Sequence, residues 1–400
     1  MTALPARSII TAVTYPITSE SMKKPAPIPQ TDPSAAYLAQ KAEIDAAITQ
    51  LLESGQYILG PVAERFESEF AGFLGLAHGV GCASGTDAIE LALRACGIGA
   101  GDLVFTVSHT AVATVAAIER AAATPVLVDI ESEGFVMDPA ALDLTLRHPP
   151  PGRPAAILPV HLYGEPANLA AIGELARAQG LRIIEDCAQS HGAHYRGRAA
   201  GSFGDIACFS FYPTKNLGAL GDAGIIATAD GALAEAAREI REYGWRERYV
   251  SARSGINTRL DPIQAAILRV KLPRLDADNR RRQAIAACYD DGLAGLPIAL
   301  PQRSADASHV FHQYVIRSPQ RDRLREHLRA AAIGTGIHYP VPVHLHPAYR
   351  NRVALGPTGL RNSERVAGDI LSLPIYPQLA DSAVDRVIAE IRRFFGQQGE

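Results

Sequence analysis

Asn168-Leu169-Ala170-Ala171-Ile172-Gly173-Glu174-Leu175-Ala176-Arg177-Ala178-Gln179-Gly180-Leu181-Arg182-Ile183-Ile184-Glu185-Asp186 is the stretch that decides the fold. Apolar residues recur at helical spacing as far as Gln179, Gly180 ends the helix, and an apolar strand over 181–185 follows at once, as an αβ connection should. Working outward, further short apolar runs at 104–107, 125–129, 155–160, 207–211 and 224–227 alternate with helical segments. Such alternation predicts an α/β fold with a mostly parallel central sheet covered by helices.

Upstream, the chain is rich in Pro, Ser, Thr and Lys to about Pro33 and has no periodicity, so residues 1–36 read as a mobile or draped arm, with Met22 a second candidate start. From Tyr37 a helical pattern leads to a turn over 55–61, where Pro61 opens a second helix. Downstream, a long helical region runs from Asp261 through Leu272 toward Arg280. It bridges a large domain over 37–272 to a smaller α+β unit over 273–400, with strands expected at 313–317 and 335–339 and helices at 321–331 and 384–395. A length of 400 residues fits two or three domains, at roughly 150 residues each.

Composition removes several classes of function. An apolar fraction of 47% with 20% charge is globular, and 39 basic against 42 acidic residues, interspersed for a net −3, leave no footprint for nucleic acid or anionic lipid. The uncharged run 103–118 is too short to span a bilayer, so no membrane helix is expected. The first 20 residues lack a cleavage motif, which argues against a secretory leader. Cys82, Cys96, Cys187, Cys208 and Cys288 are odd in number and set among apolar neighbours, so they read as reduced core residues of a cytoplasmic protein.

Five of the basic residues are lysines, and the one in mid-chain is Lys215, directly after an apolar strand and before a glycine-rich turn. Desolvated there, its amine would lose its proton near neutrality and attack a carbonyl to form a Schiff base; alone, it also fits a surface loop. Asp186 ends the strand over 181–185, where open α/β sheets bind ligands, and Gln189 follows. An acid there could keep a pyridine nitrogen protonated, or simply cap a loop. Ser84-Gly85-Thr86-Asp87 enters a helix whose free N–H groups suit a phosphate ester or a plain cap. His109 follows the strand over 104–107, placed to lie flat on an aromatic ring or to be an ordinary loop histidine. Glycine spacing rules out a dinucleotide fingerprint, and His344 and His346 lack companions at metal-ligand spacing, so no metal is expected.

Taken together and in order, Ala83-Ser84-Gly85-Thr86-Asp87-Ala88, Ser108-His109-Thr110, Val160 to Gly164, Glu185 to Gly192, Ser210 to Gly224, Tyr243-Gly244-Trp245, Gly255 to Asp261, His338-Tyr339-Pro340 and Leu371 to Pro374 resemble the DegT/DnrJ/StrS sugar aminotransferases, pyridoxal-phosphate enzymes of fold type I. The resemblance covers about 37–395 and departs only in small ways, at Ala223, Thr258 and Pro262. It implies that Lys215 forms the Schiff base and shuttles a proton, that Asp186 pairs with the pyridine nitrogen, and that Gln189 approaches the ring hydroxyl. It also implies that Gly85, Thr86, Asp87 and Ser210 hold the phosphate, that His109 stacks on the ring, and that Arg259, His338 and Tyr339 face the substrate. Asn257 would reach the phosphate of a neighbouring subunit, making a homodimer with shared sites. The implied reaction carries an amino group from L-glutamate to a nucleotide-linked keto-deoxysugar, at C3 of a dTDP-3-keto-6-deoxyhexose. The alternatives are amination at C4 of a 4-keto sugar, a non-enzymatic regulatory protein, or an amino-acid-transforming enzyme on the same fold.

Overall fold

The computed structural model describes residues 26–396. The first part of the expected arm, Met22 included, lies outside them. Eight strands form the central sheet: β1 (His78–Cys82), β2 (Asp102–Val107), β3 (Thr124–Val128), β4 (Arg153–Ile157), β5 (Arg182–Asp186), β6 (Ile206–Ser210), β7 (Gly224–Thr228) and β8 (Ala354–Leu355). Their order is β1-β7-β6-β5-β4-β2-β3-β8. Only the two pairings of β7 are antiparallel, and the other five are parallel. Every residue of β2 and β7 is buried, because helices cover both faces of the sheet.

Local chemistry sets the element ends. The helix Leu169–Gln179 starts where the Asn168 side chain accepts from Ala171 N and stops at Gly180, whose φ of 63° is left-handed. The helix Pro61–Phe73 buries Phe66 and Phe70. Phe70 meets Phe209 and Phe211 edge-on at 4.9 and 5.2 Å, which fixes the register of β6 because successive side chains alternate between faces. Ser210 is thereby turned away from this aromatic core.

A second core joins Ile285, Tyr289, Tyr314, Leu324, Leu371, Val387 and Ile391. Here the structure corrects two expectations. The strand expected at 335–339 is absent: Gly336 makes a single bridge with Ser372, and the strand partner of Tyr314–Arg317 is Ile370–Leu373. The long bridging helix is also broken, since Pro273 has no N–H to continue the ladder; Pro262–Lys271 passes through a 3₁₀ turn at Leu272–Arg274 into Leu275–Leu293. Nor does the rear of the chain stay apart, because β8 returns to the edge of the large sheet. The described part of the arm is draped: Ile28 bridges Ile333, and a short helix, Pro33–Leu38, follows. Cys288 is exposed, not buried as expected.

One buried ion pair ties three elements beside β1. Arg241 Nη1 donates to Glu67 Oε1 at 2.5 Å and to the Gly81 carbonyl at 3.0 Å, and Gly81 N donates to the same Glu67 oxygen at 2.8 Å. Glu67→Ala would strand the buried guanidinium, so we expect a loss of about 3–5 kcal/mol, read as a lower midpoint of denaturant unfolding; an unchanged midpoint would remove this pair from the account.

Candidate active site

The parallel strands point their carboxyl ends to one edge of the sheet, and a cavity of about 250 Å³ opens there. The turns after β1, β2, β5 and β6 bring Gly85, Thr86, Thr110, Asp186, Ser210 and Lys215 to it from positions far apart in sequence. Gln189 lines it as well.

At one end lies the start of the helix Gly85–Ala95, whose first N–H groups have no helical acceptor. The Ser84 hydroxyl caps Asp87 N at 3.1 Å. Two glycines let the strands close on this turn: a Cβ at Gly85 would lie 2.5 Å from Ser210 Cβ, and one at Gly224 would lie 2.3 Å from the Ser84 carbonyl oxygen. Ser210 therefore packs directly against the helix start. A phosphate fits this combination of free N–H groups, a helix dipole and hydroxyls.

At the other end sit two buried, opposite charges. Asp186 Oδ2 accepts from Thr114 Oγ1 at 2.9 Å and Oδ1 from Ala188 N at 3.1 Å. Burial nonetheless raises its pKa above the usual carboxylate value, and these donors with the Lys215 charge offset that only in part. Burial pushes Lys215 down to about 8, with Asp186 opposing. His109 and His191 are driven by burial to about 4 and about 3, so both are neutral at pH 7. Lys215 is thus the group in this site that exchanges a proton near neutrality. A buried carboxylate with a raised pKa gains from a cationic partner, and a protonated pyridine nitrogen would be one. The residues present fit pyridoxal phosphate, with a cradle for its phosphate, an amine for its carbonyl and a carboxylate for its nitrogen.

Beside them, Gln189 Oε1 accepts from Tyr163 N at 2.7 Å and its Nε2 donates to the Tyr339 hydroxyl at 3.2 Å. The Tyr163 hydroxyl donates to the His338 carbonyl, so the Tyr163 oxygen accepts from His109 Nε2 at 2.8 Å. Here the structure differs from expectation. His109 is fully buried and does not line the cavity, where Ala111 and Ala113 stand instead. Its ring is turned toward Tyr163 and Phe135 because the apolar layer beneath the loop takes it up. Asp87 is also drawn away, its carboxylate paired with Arg120 at 2.8 Å. Within one chain, Asn257 is exposed and Arg259 faces Glu242, and neither lines the cavity. His338 bonds Ser372 Oγ at 2.8 Å, and Tyr339 touches the site through Gln189.

Thr114 and Tyr163 were not singled out from sequence. The available signal for Thr114 was its place one helical turn after Thr110, to which it bonds at 3.0 Å. His161, Glu185 and Cys187 lie together below Asp186. The donors there are spent: His161 Nε2 bonds Glu185, His161 Nδ1 accepts from Ala167 N, and Glu185 also accepts from Gly201, Phe203 and Gly204. This cluster ties strand ends together.

Residues 39–392 match the model of the DegT/DnrJ/EryC1/StrS aminotransferase family. The chain belongs to this family. It is 48% identical over 369 residues to a dTDP-3-amino-3,4,6-trideoxy-alpha-D-glucose transaminase of Streptomyces venezuelae, covering 92% of this chain and 96% of that one. It is 46% identical to the erythromycin biosynthesis sensory transduction protein EryC1 of Saccharopolyspora erythraea, covering 91% and 99%. The crystal structure of S. venezuelae DesV in complex with a ketimine intermediate superposes with a TM-score of 0.88 at 47% identity, covering 92% and 98%. Such a likeness over nearly the whole length fits a family fold in which strand ends, not added modules, carry the site.

Thr114→Val keeps the shape but removes one donor to a charged acceptor, worth about 1.5–3 kcal/mol. A fall in kcat of roughly tenfold to a hundredfold is expected in steady-state assays of the variant; turnover equal to wild type would show that Thr114 does not hold Asp186 for the reaction.

Proposed function

We propose that this chain is a pyridoxal-phosphate-dependent aminotransferase that moves an amino group from L-glutamate to C3 of a dTDP-linked 3-keto-6-deoxyhexose. The observation that carries the reading is the buried Lys215 amine placed with Asp186 and a phosphate-ready helix start around one cavity. The choice of C3 and of the nucleotide is supported by the 48%-identical relative, a transaminase of a dTDP-3-amino sugar. L-glutamate as donor is taken from the family resemblance.

Bound pyridoxal phosphate supplies an electron sink that stabilises negative charge at the donor carbon. The rest is done by the chain. Gly85, Thr86 and Ser210 would anchor the phosphate. Asp186, held by Thr114 and Ala188, would keep the pyridine nitrogen protonated. Gln189, oriented by Tyr163 and Tyr339, would meet the ring hydroxyl. Lys215, lowered by burial to about 8, would hold the cofactor through its Nζ, and the same Nζ would be the atom that holds and passes the proton during amino transfer. His338, Tyr339 and Arg259 are assigned to the substrate. The division into a large cofactor-binding domain over 37–272 and a small domain over 273–400 is part of the same reading. Among the described residues no helix is long and apolar enough to cross a membrane, and the cytoplasmic setting read from the sequence stays part of the proposal.

Two half-reactions test this. The loaded enzyme should turn L-glutamate into 2-oxoglutarate, and the aminated enzyme should then convert a dTDP-3-keto-6-deoxyhexose to a 3-amino sugar identified by NMR. Amination only of 4-keto sugars would overturn the position, and no reaction with either partner would favour a regulatory role.

The proposal includes a homodimer in which Asn257 serves the partner's phosphate, since Asn257 is exposed and outside its own chain's cavity. Mixing inactive Lys215→Ala with phosphate-weakened Asn257→Asp should restore activity as subunits exchange, because some hybrids hold one intact site. Proven exchange without recovered activity would contradict a shared site.

A further inference from the structure

Beyond residue 41 the chain has two lysines, Lys215 and Lys271, although 39 of its residues are basic. Both line one chamber of about 40 Å³ behind the loop that carries Lys215. This chamber is separate from the cavity at the strand ends. Its wall includes Gly218, Asp278, Arg282 and, from the arm, Asp32.

The Lys215 loop is a tight turn. Lys215 N donates to the Tyr212 carbonyl and Ala219 N to the Phe211 carbonyl, both at 2.8 Å. A Cβ at Gly218 would lie 2.4 Å from the Pro213 carbonyl oxygen, so the turn has no slack there. Three side chains from the bridging helices hold it from outside. Gln264 Oε1 accepts from Leu220 N at 3.0 Å, Asn279 Oδ1 accepts from Asn216 Nδ2 at 2.8 Å, and Lys271 Nζ donates to the Gly218 carbonyl at 2.5 Å. Of these three, Lys271 alone brings a charge, and its contact lies three residues from Lys215.

We propose that Lys271 is a positioning residue for Lys215: its ammonium, bonded to the Gly218 carbonyl, fixes the loop so that the reactive amine stays in place and out of water. Lysine suits the task because its compact ammonium can be aimed at the single Gly218 carbonyl, whereas a guanidinium is a wide planar fork, as Arg282 is on the same wall, where it spans two carbonyls. The charge is supported by Asp278, which burial holds above the usual carboxylate value, while burial lowers Lys271 to about 8. Arg282 faces the same space with Nη1 donating to the Phe311 and Ile375 carbonyls, at 3.2 and 3.0 Å. Asp32 of the arm and Gln40 just beyond it close the outer side, with Gln40 Nε2 donating to the Val270 carbonyl at 3.2 Å. Asp32 and Tyr376 complete the titratable groups on that wall. Around Lys215 itself stand Asp186, the buried histidines His191 and His312 and the half-buried His338, and burial and the Lys215 charge lower the pKa values of all three histidines.

This inference rests on the reading of Lys215 as the amine that attaches the cofactor, and the test separates the two. Cofactor-free protein is methylated with formaldehyde and cyanoborohydride across a pH series, and the rate at each lysine is read by peptide mass. Lys271→Met keeps the aliphatic stem but removes donor and charge. The midpoint for Lys215 should then rise by at least about half a pH unit, roughly a threefold change in neutral amine, and kcat should fall more than KM. Lys271→Gln, which keeps a donor of similar reach without the charge, should shift the midpoint less, and its shift decides the matter if the Met variant does not fold. A Lys215 midpoint that stays at its wild-type value in these variants, whatever their melting temperature, makes Lys271 a strut and overturns the proposal. A wild-type Lys215 midpoint near the ordinary lysine value would instead count against the reading of Lys215 itself.

Discussion

Lys215 and Asp186 are opposite charges buried at the same sheet edge, and their mutual attraction does not offset what burial costs them. The acid stays above its usual pKa and the amine below its own. Removing two such groups from water costs more than one imperfect pairing returns, so the site is left with an unmet electrostatic demand. A cationic partner for Asp186 would answer part of it, which is how the proposed pyridoxal phosphate would gain binding energy at this edge.

The scaffold makes this imbalance tolerable by leaving little freedom around it. Asp186 closes a β-strand whose neighbour, Glu185, is sealed among His161 and three backbone N–H groups on the other face. Ser210 is aimed by the phenylalanines on either side of it, and Lys215 by a turn stapled to the bridging helices. Positions that react are thus set by positions that only pack. The bridging helices also reach the second core, since Arg282 holds the carbonyls of Phe311 and Ile375.

Much of this was legible in the sequence because it depends on local chemistry. The helix, glycine and strand of 168–186 specify the αβ connection, and the helix after Ser84, the end of β5 and the turn after β6 each carry their reactive residue where the strand stops. What was not legible depends on packing between distant segments. The ring of His109 is turned by Tyr163 and Phe135, neither of which is its neighbour in sequence, and the carboxylate of Asp87 is claimed by Arg120. Thr114 matters because a helix after β2 comes to lie over the end of β5. In the smaller core, Gly334 and Gly336 weaken the pattern at 335–339 as a strand, and Ile370–Leu373 takes that place beside Tyr314–Arg317. Lys271 likewise gains its place only through packing, since Gly218, whose carbonyl it bonds, lies 53 residues away in sequence.

The central claim is that one lysine alone presents its amine to the cofactor. Lys271 sharpens the question, because burial lowers it too to about 8, yet it lines only the rear chamber whereas Lys215 also lines the cavity at the strand ends. Borohydride reduction of the loaded enzyme, followed by proteolysis and mass mapping of all five lysines, decides it. The account predicts a stable pyridoxyl adduct on Lys215 and on no other lysine, lost in Lys215→Ala. An adduct on Lys271, or one that persists in Lys215→Ala, would contradict it.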